Sequence, residues 1–99
     1  MNSRAKGRRN ENKTKDALEA EGWLIELVKG GTGWQRSTDF FGLFDIIAVK
    51  GGRIRWLQIK SNRNASPKDR AAMADFPGPG TRDVWVWYDR KPKPIIHKL

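Results

Sequence analysis

The apolar positions of this 99-residue chain fall mostly into short runs of strand length, set between two stretches of helix-forming residues. Residues 9–21 favour a helix, and Gly22 ends it. Residues 23–29 (WLIELVK) read as a strand, and residues 43–50 (LFDIIAVK) and 53–60 (RIRWLQIK) as two more. Gly51-Gly52 between the last two predicts a two-residue hairpin turn, because both turn positions need positive φ. Ser66-Pro67-Lys68-Asp69 opens a second helix that runs to about Asp75: Ser66 caps it, Pro67 takes the first helical position and Asp69 completes a capping box. Residues 77–80 (PGPG) break the chain, residues 83–89 (DVWVWYD) form a further strand and residues 95–98 a last short one. The predicted order is α-β-β-β-α-β-β, an α/β pattern without repeats, expected as one domain over residues 1–99. Residues 1–8 are expected to be a mobile basic arm, and residues 30–42 a loop rich in Gly, Ser and Thr.

The glycine turn sets a register, and the register places side chains. Lys50 should pair with Arg53, Val49 with Ile54, and so on down to Asp45 with Gln58. Side chains alternate between faces, so Asp45, Ile47 and Val49 should share one face with Ile54, Trp56, Gln58 and Lys60. Directly opposed residues lie about 5 Å apart at Cβ. A carboxylate, an amide and an ammonium are thereby expected together at one end of a hairpin that is apolar on both sides. A charge buried there is costly unless paired or bound to a metal. One reading is a buried Asp–Lys ion pair at a strand end. The other is chemical: a carboxylate with a second oxygen donor can hold Mg²⁺ (Mn²⁺ expected to substitute), the ion polarises a phosphoryl oxygen and acidifies bound water, and a lysine steadies the developing charge.

Composition then narrows the partner. Lys and Arg number 20 against 11 Asp and Glu, for a formal net charge of +9 and a pI near 10.4. A balance this basic favours polyanions, nucleic acid first. With no cysteine, disulfides, zinc–thiolate sites and cysteine nucleophiles are excluded. No run approaches the roughly 18 apolar residues of a membrane span, and the charged N-terminus is no secretory signal, so a cytoplasmic location and no membrane partner are expected.

Glu11 supplies a third piece. Thr14, Lys15 and Leu18 follow it at helical spacing, which would put Glu11 on the inward stripe of the first helix. A solvated carboxylate near the helix N-terminus is the alternative. The ordered set over residues 4–76 (Gly7-x-x-x-Glu11, a helix, a Gly-rich loop, Asp45-Ile-Ile-Ala, a glycine turn and Gln58-x-Lys60-Ser61) resembles the PD-(D/E)xK nuclease superfamily. Within it the pattern is most similar to archaeal-type, Hjc-like Holliday-junction resolvases. The resemblance implies a restriction-endonuclease-like core, with a mixed central sheet flanked by helices. It implies a Mg²⁺-dependent endonuclease that acts as a homodimer on branched double-stranded DNA and resolves four-way junctions by paired phosphodiester hydrolysis. On that resemblance Asp45, Gln58 and Glu11 would hold the metal, with Lys60 as the motif lysine. Ser37 and Asp39, in the loop, become candidate strand contacts or metal neighbours.

Two positions depart from the pattern. Phe44 replaces the proline of the family name, a harmless change. Gln58 replaces an acid, so the site loses a negative charge, and Asp39 is the best-placed compensating carboxylate. Activity on flaps or duplex DNA, a binding-only relative, and RNA processing on a similar scaffold are the other readings. The basic residues Arg4, Lys6, Arg8, Arg9, Arg63 and Lys68 are candidate phosphate contacts. Trp56, Trp85 and Trp87 are expected in the core or at a dimer interface.

Overall fold

The computed structural model describes residues 3–27 and 39–99, with side chains from residue 7 onward. Seven elements follow the predicted order: α1 (Ser3–Ala20), β1 (Leu24–Leu27), β2 (Ile46–Lys50), β3 (Arg53–Ser61), α2 (Pro67–Ala74), β4 (Thr81–Trp87) and β5 (Ile95–Lys98). The five strands form one sheet in sequence order, antiparallel except for the β3–β4 pair. Helix α2 makes the crossover that a parallel pair requires.

The hairpin turn is as predicted. Gly51 and Gly52 both have positive φ (53° and 78°), and β2 pairs with β3 from Lys50↔Arg53 to Ile46↔Leu57. The second helix also starts as predicted, with the Asp69 amide donating to Ser66 Oγ at 3.1 Å and Pro67 in the first turn.

The two helices lie over opposite faces of the sheet, and each face has its own core. Leu18 of α1 packs with Ile46, Ala48, Leu57, Trp85 and Trp87. Met73 of α2 packs with Phe44, Trp56, Phe76, Val84 and Val86. Strand β4 is buried at five consecutive residues, as expected where both faces are covered. The tryptophans at 56, 85 and 87 are therefore core residues.

Four boundaries differ from expectation. Helix α1 begins at Ser3, so most of the basic segment expected as a mobile arm forms its first turns. Apart from Gly7, residues 3–9 are Ser, Arg, Lys and Ala, which the helix tolerates well. Strand β1 is described only as Leu24–Leu27, and residues 28 and 29 lie outside the described residues. Strand β4 starts and stops two residues early, because its parallel pairing with β3 runs from Arg55↔Thr81 to Ser61↔Trp87. Strand β2 is shorter than expected at its start, where Asp45 lies. Among the described residues no helix is long and apolar enough to cross a membrane.

Candidate active site

The inward stripe of α1 is Asn10, Thr14 and Leu18, spaced by four; Asn10 is 5% exposed and the other two are fully buried. Two hydrogen bonds pin this stripe to the sheet, and a third lies within the helix. Asn10 Nδ2 donates to Ser61 Oγ at 2.6 Å, Thr14 Oγ1 donates to the Asn10 carbonyl at 2.8 Å, and Trp87 Nε1 donates to Thr14 Oγ1 at 2.8 Å. Glu11 follows Asn10 and lies on the flank of the stripe, half-buried. This corrects the expected stripe: Leu18 and Thr14 point in, whereas Glu11 sits at its margin and Lys15 pairs outward with Glu19 at 3.1 Å. Sequence reasoning missed the role of Asn10. A polar residue four before Thr14 and eight before Leu18 is the signal that could have found it.

Asp45 does not pair with Gln58. Its amide donates to the Leu57 carbonyl at 2.8 Å, although Leu57 is already the register partner of Ile46. Asp45 and Ile46 thus face one residue, and the strand is bulged at its first position. Alternation slips there as well. Phe44 packs in the layer of Ile47 and Trp56, whereas strict alternation would have placed it with Ile46. The carboxylate of Asp45 is freed to act as a backbone acceptor and takes the Ile59 amide, 2.8 Å from Oδ2.

The chain just before the bulge returns an acid to the same place. Phe40 and Phe44 bridge through paired backbone bonds of 2.8 and 3.1 Å, and the turn between them has Phe41 and Gly42 at positive φ (55° and 68°). Asp39 and Asp45 flank that bridge, and their side chains share a hydrogen bond. Burial, opposed by the Ile59 amide and reinforced by the charges of Asp39 and Glu11, pushes Asp45 up to about 7. Glu11 is also raised, first by burial and then by Asp39, while Arg8 pulls it down. Three carboxyl groups from α1, the loop and the bulge therefore feel one another. They are not drawn in around one point: among the described residues no three His, Cys, Asp or Glu side chains are gathered to hold an ion.

Gln58 and Lys60 share a face of β3 by alternation. The Gln58 amide is buried at 9% exposure; Nε2 donates to the Leu43 carbonyl at 3.0 Å, and Oε1 has no partner. A buried amide oxygen without a donor costs about 1–3 kcal/mol, which a ligand could return. Lys60 is half-exposed and has no ion-pair or hydrogen-bond partner among the described residues. The Asp45–Lys60 ion pair considered from sequence is not formed. The buried pair of this fold is Arg55 with Asp83, at the other end of β3.

The candidate phosphate contacts spread over several surfaces. Arg8, Arg9, Arg63 and Lys68 are exposed. The side chains of Arg4 and Lys6, and all of Ser37, lie outside the described residues.

Among the described residues the chain builds a mixed five-stranded sheet between helices, with acids at a strand start and a Gln-x-Lys on the next strand. The solved structure of Hjc from Archaeoglobus fulgidus, a Holliday junction resolvase from an archaeal hyperthermophile, has the same fold. The likeness has a TM-score of 0.62 and covers 93% of this chain and 88% of that one, at 17% sequence identity. No family model and no curated protein matches this chain.

Proposed function

We propose that this chain is a divalent-metal-dependent DNA endonuclease that cuts four-way junctions as a homodimer. The observation that carries the reading is electrostatic: the charge of Asp39 raises both Glu11 and Asp45, and the charge of Glu11 raises Asp45. Mutual repulsion of buried acids is relieved by a cation. Asp45 and Gln58 Oε1 would hold Mg²⁺, with Glu11 as the third donor and Asp39 supplying the charge that Gln58 lacks. A bound divalent ion would polarise the scissile phosphate and acidify a water. With an ion bound, both carboxyl groups would be ionised, the proton they share in its absence would be released, and the bulge would aim Asp45. Lys60, unpaired among the described residues, is available to the phosphate's developing negative charge. The basic surface supplies sequence-independent affinity for DNA. Junction preference and dimerisation rest on the fold shared with a resolvase and on the ordered motif.

One observation favours a second reading, DNA binding without cleavage: the acids are not gathered around a single point, and Gln58 is neutral. Incubation of the protein with labelled four-way junction, flap and linear duplex, with and without Mg²⁺, separates the two. Paired symmetric nicks on the junction support the first reading, and cleavage should vanish in Asp45→Asn and Lys60→Ala while junction binding persists. Binding without cleavage in Mg²⁺ or Mn²⁺ would leave the second.

A further inference from the structure

Arg53 and Lys60 stand at opposite ends of β3, seven residues or about 23 Å apart. At the Arg53 end lies a cleft of about 680 Å³. That volume is in the range of ligand sites, about 300–1,000 Å³. It is too distant from the acids to belong to the candidate active site.

The walls of this cleft are held rigidly. The Pro79 carbonyl accepts from Trp56 Nε1 at 2.7 Å, and the Arg82 guanidinium bonds the carbonyls of Gly80 at 3.3 Å, Gly78 at 2.8 Å and Phe76. Gly80, at φ +90°, lies so close to β3 that a Cβ there would stand 2.0 Å from the Ile54 carbonyl oxygen. The floor is equally fixed. Arg55 is bonded to Asp83 and lies over the rings of Trp23 at 5.3 Å and Trp85 at 5.6 Å. That pair is neutral, and Asp83 is the only acidic side chain among the described residues that line the cleft.

The side chains left to carry net charge in the described lining are cationic. Arg53 and Lys98 line the cleft, and neither has an ion-pair or hydrogen-bond partner among the described residues. Lys98 is the register partner of Asp83 on β5, so the two cations stand on either side of the floor. Apolar surface from Ile54, Pro79 and Leu99 completes the lining. A ligand for this surface needs repeated negative charge joined by apolar spacers, which is the alternation of phosphate and deoxyribose in a DNA strand.

We infer that this cleft is a second DNA contact, which takes the backbone of a strand through Arg53 and Lys98, at the far end of β3 from Lys60 and on its other face. The choice of DNA over another polyanion rests on the proposed function. The contact is to phosphates, so it adds affinity and footprint length without sequence preference.

The test uses the full chain carrying Asp45→Asn, so that binding is read without cleavage, and a fluorescent 20-base-pair duplex titrated across salt concentrations. Arg53→Ala/Lys98→Ala should weaken binding and lower the salt slope by about 2, close to one per phosphate contact removed. Both residues are exposed, and thermal melts of the variants verify folding. Lys91→Ala/Lys93→Ala removes the same charge from exposed positions outside the cleft and should change the slope by less than half as much. Equal effects from the two pairs would reduce the cleft to general surface charge and overturn the inference. Displacement of the duplex by millimolar pyrophosphate, lost in the cleft variant, would make this a small-anion pocket and overturn the strand assignment. The readout is independent of catalysis: a wild-type protein that never cuts in Mg²⁺ would defeat the nuclease reading and leave this result standing.

Discussion

Replacing Asp45 by Asn should make the metal-free protein more stable at pH 8, although it removes a charged group from a candidate active site. The unfolded carboxyl titrates near 3.8, while the folded one is pushed up to about 7. Between those values the folded state binds a proton that the unfolded state has released. Stability therefore falls as pH rises through this window, by up to 1.36 kcal/mol per pH unit. The fall sums to about 4 kcal/mol as an upper bound, since acids this close share their protons. Above pH 7 the whole penalty is present; below about pH 4 it is gone. Asparagine mimics the protonated form and can still accept from the Ile59 amide. Urea unfolding in EDTA at pH 5, 6, 7 and 8 would measure the difference. The variant should gain about 2–4 kcal/mol over wild type at pH 8, with the gap shrinking toward pH 4. Added Mg²⁺ should stabilise the wild type and not the variant. Parallel pH profiles for the two proteins, or a less stable variant at pH 8, would refute the claim that Asp45 is held against its own charge.

Three further outcomes follow from packing. Thr14→Val should cost about 1–3 kcal/mol in denaturant melts, because it leaves the buried Trp87 indole N–H without an acceptor; a neutral result would mean that the link from α1 to β4 is dispensable. Gly80→Ala should cost more than about 2 kcal/mol, since it adds left-handed strain to a collision with the Ile54 carbonyl. Arg55→Met alone should cost about 3–5 kcal/mol by stranding the buried Asp83 carboxylate, whereas Arg55→Met with Asp83→Leu should recover most of that; equal stability of the single and double variants would contradict it.

The hairpin, its register from Lys50 down to Ile46, the cap of α2 and the apolar faces of β3 and β4 were legible in the chain. Each depends on neighbours in sequence: a glycine pair, a Ser-Pro start, alternation of side chains. The order of Glu11, Asp45, Gln58 and Lys60 was read from local spacing in the same way, and the roles of these residues stand as proposals. Tertiary structure decided what happens where elements meet. Asp45 leaves the register because its amide turns to the Leu57 carbonyl and its carboxylate to the Ile59 amide, partners 12 and 14 residues on in the chain. The depth of Glu11 depends on Asn10, Thr14 and Trp87, the last of them 73 residues from Thr14 in the chain. The partner of Arg55 is set by parallel pairing of β3 with β4, brought about by the α2 crossover. Local spacing encodes local geometry. Bulges, buried ion pairs and the proton on Asp45 are settled by desolvation and contacts between distant segments, which no window along the chain contains.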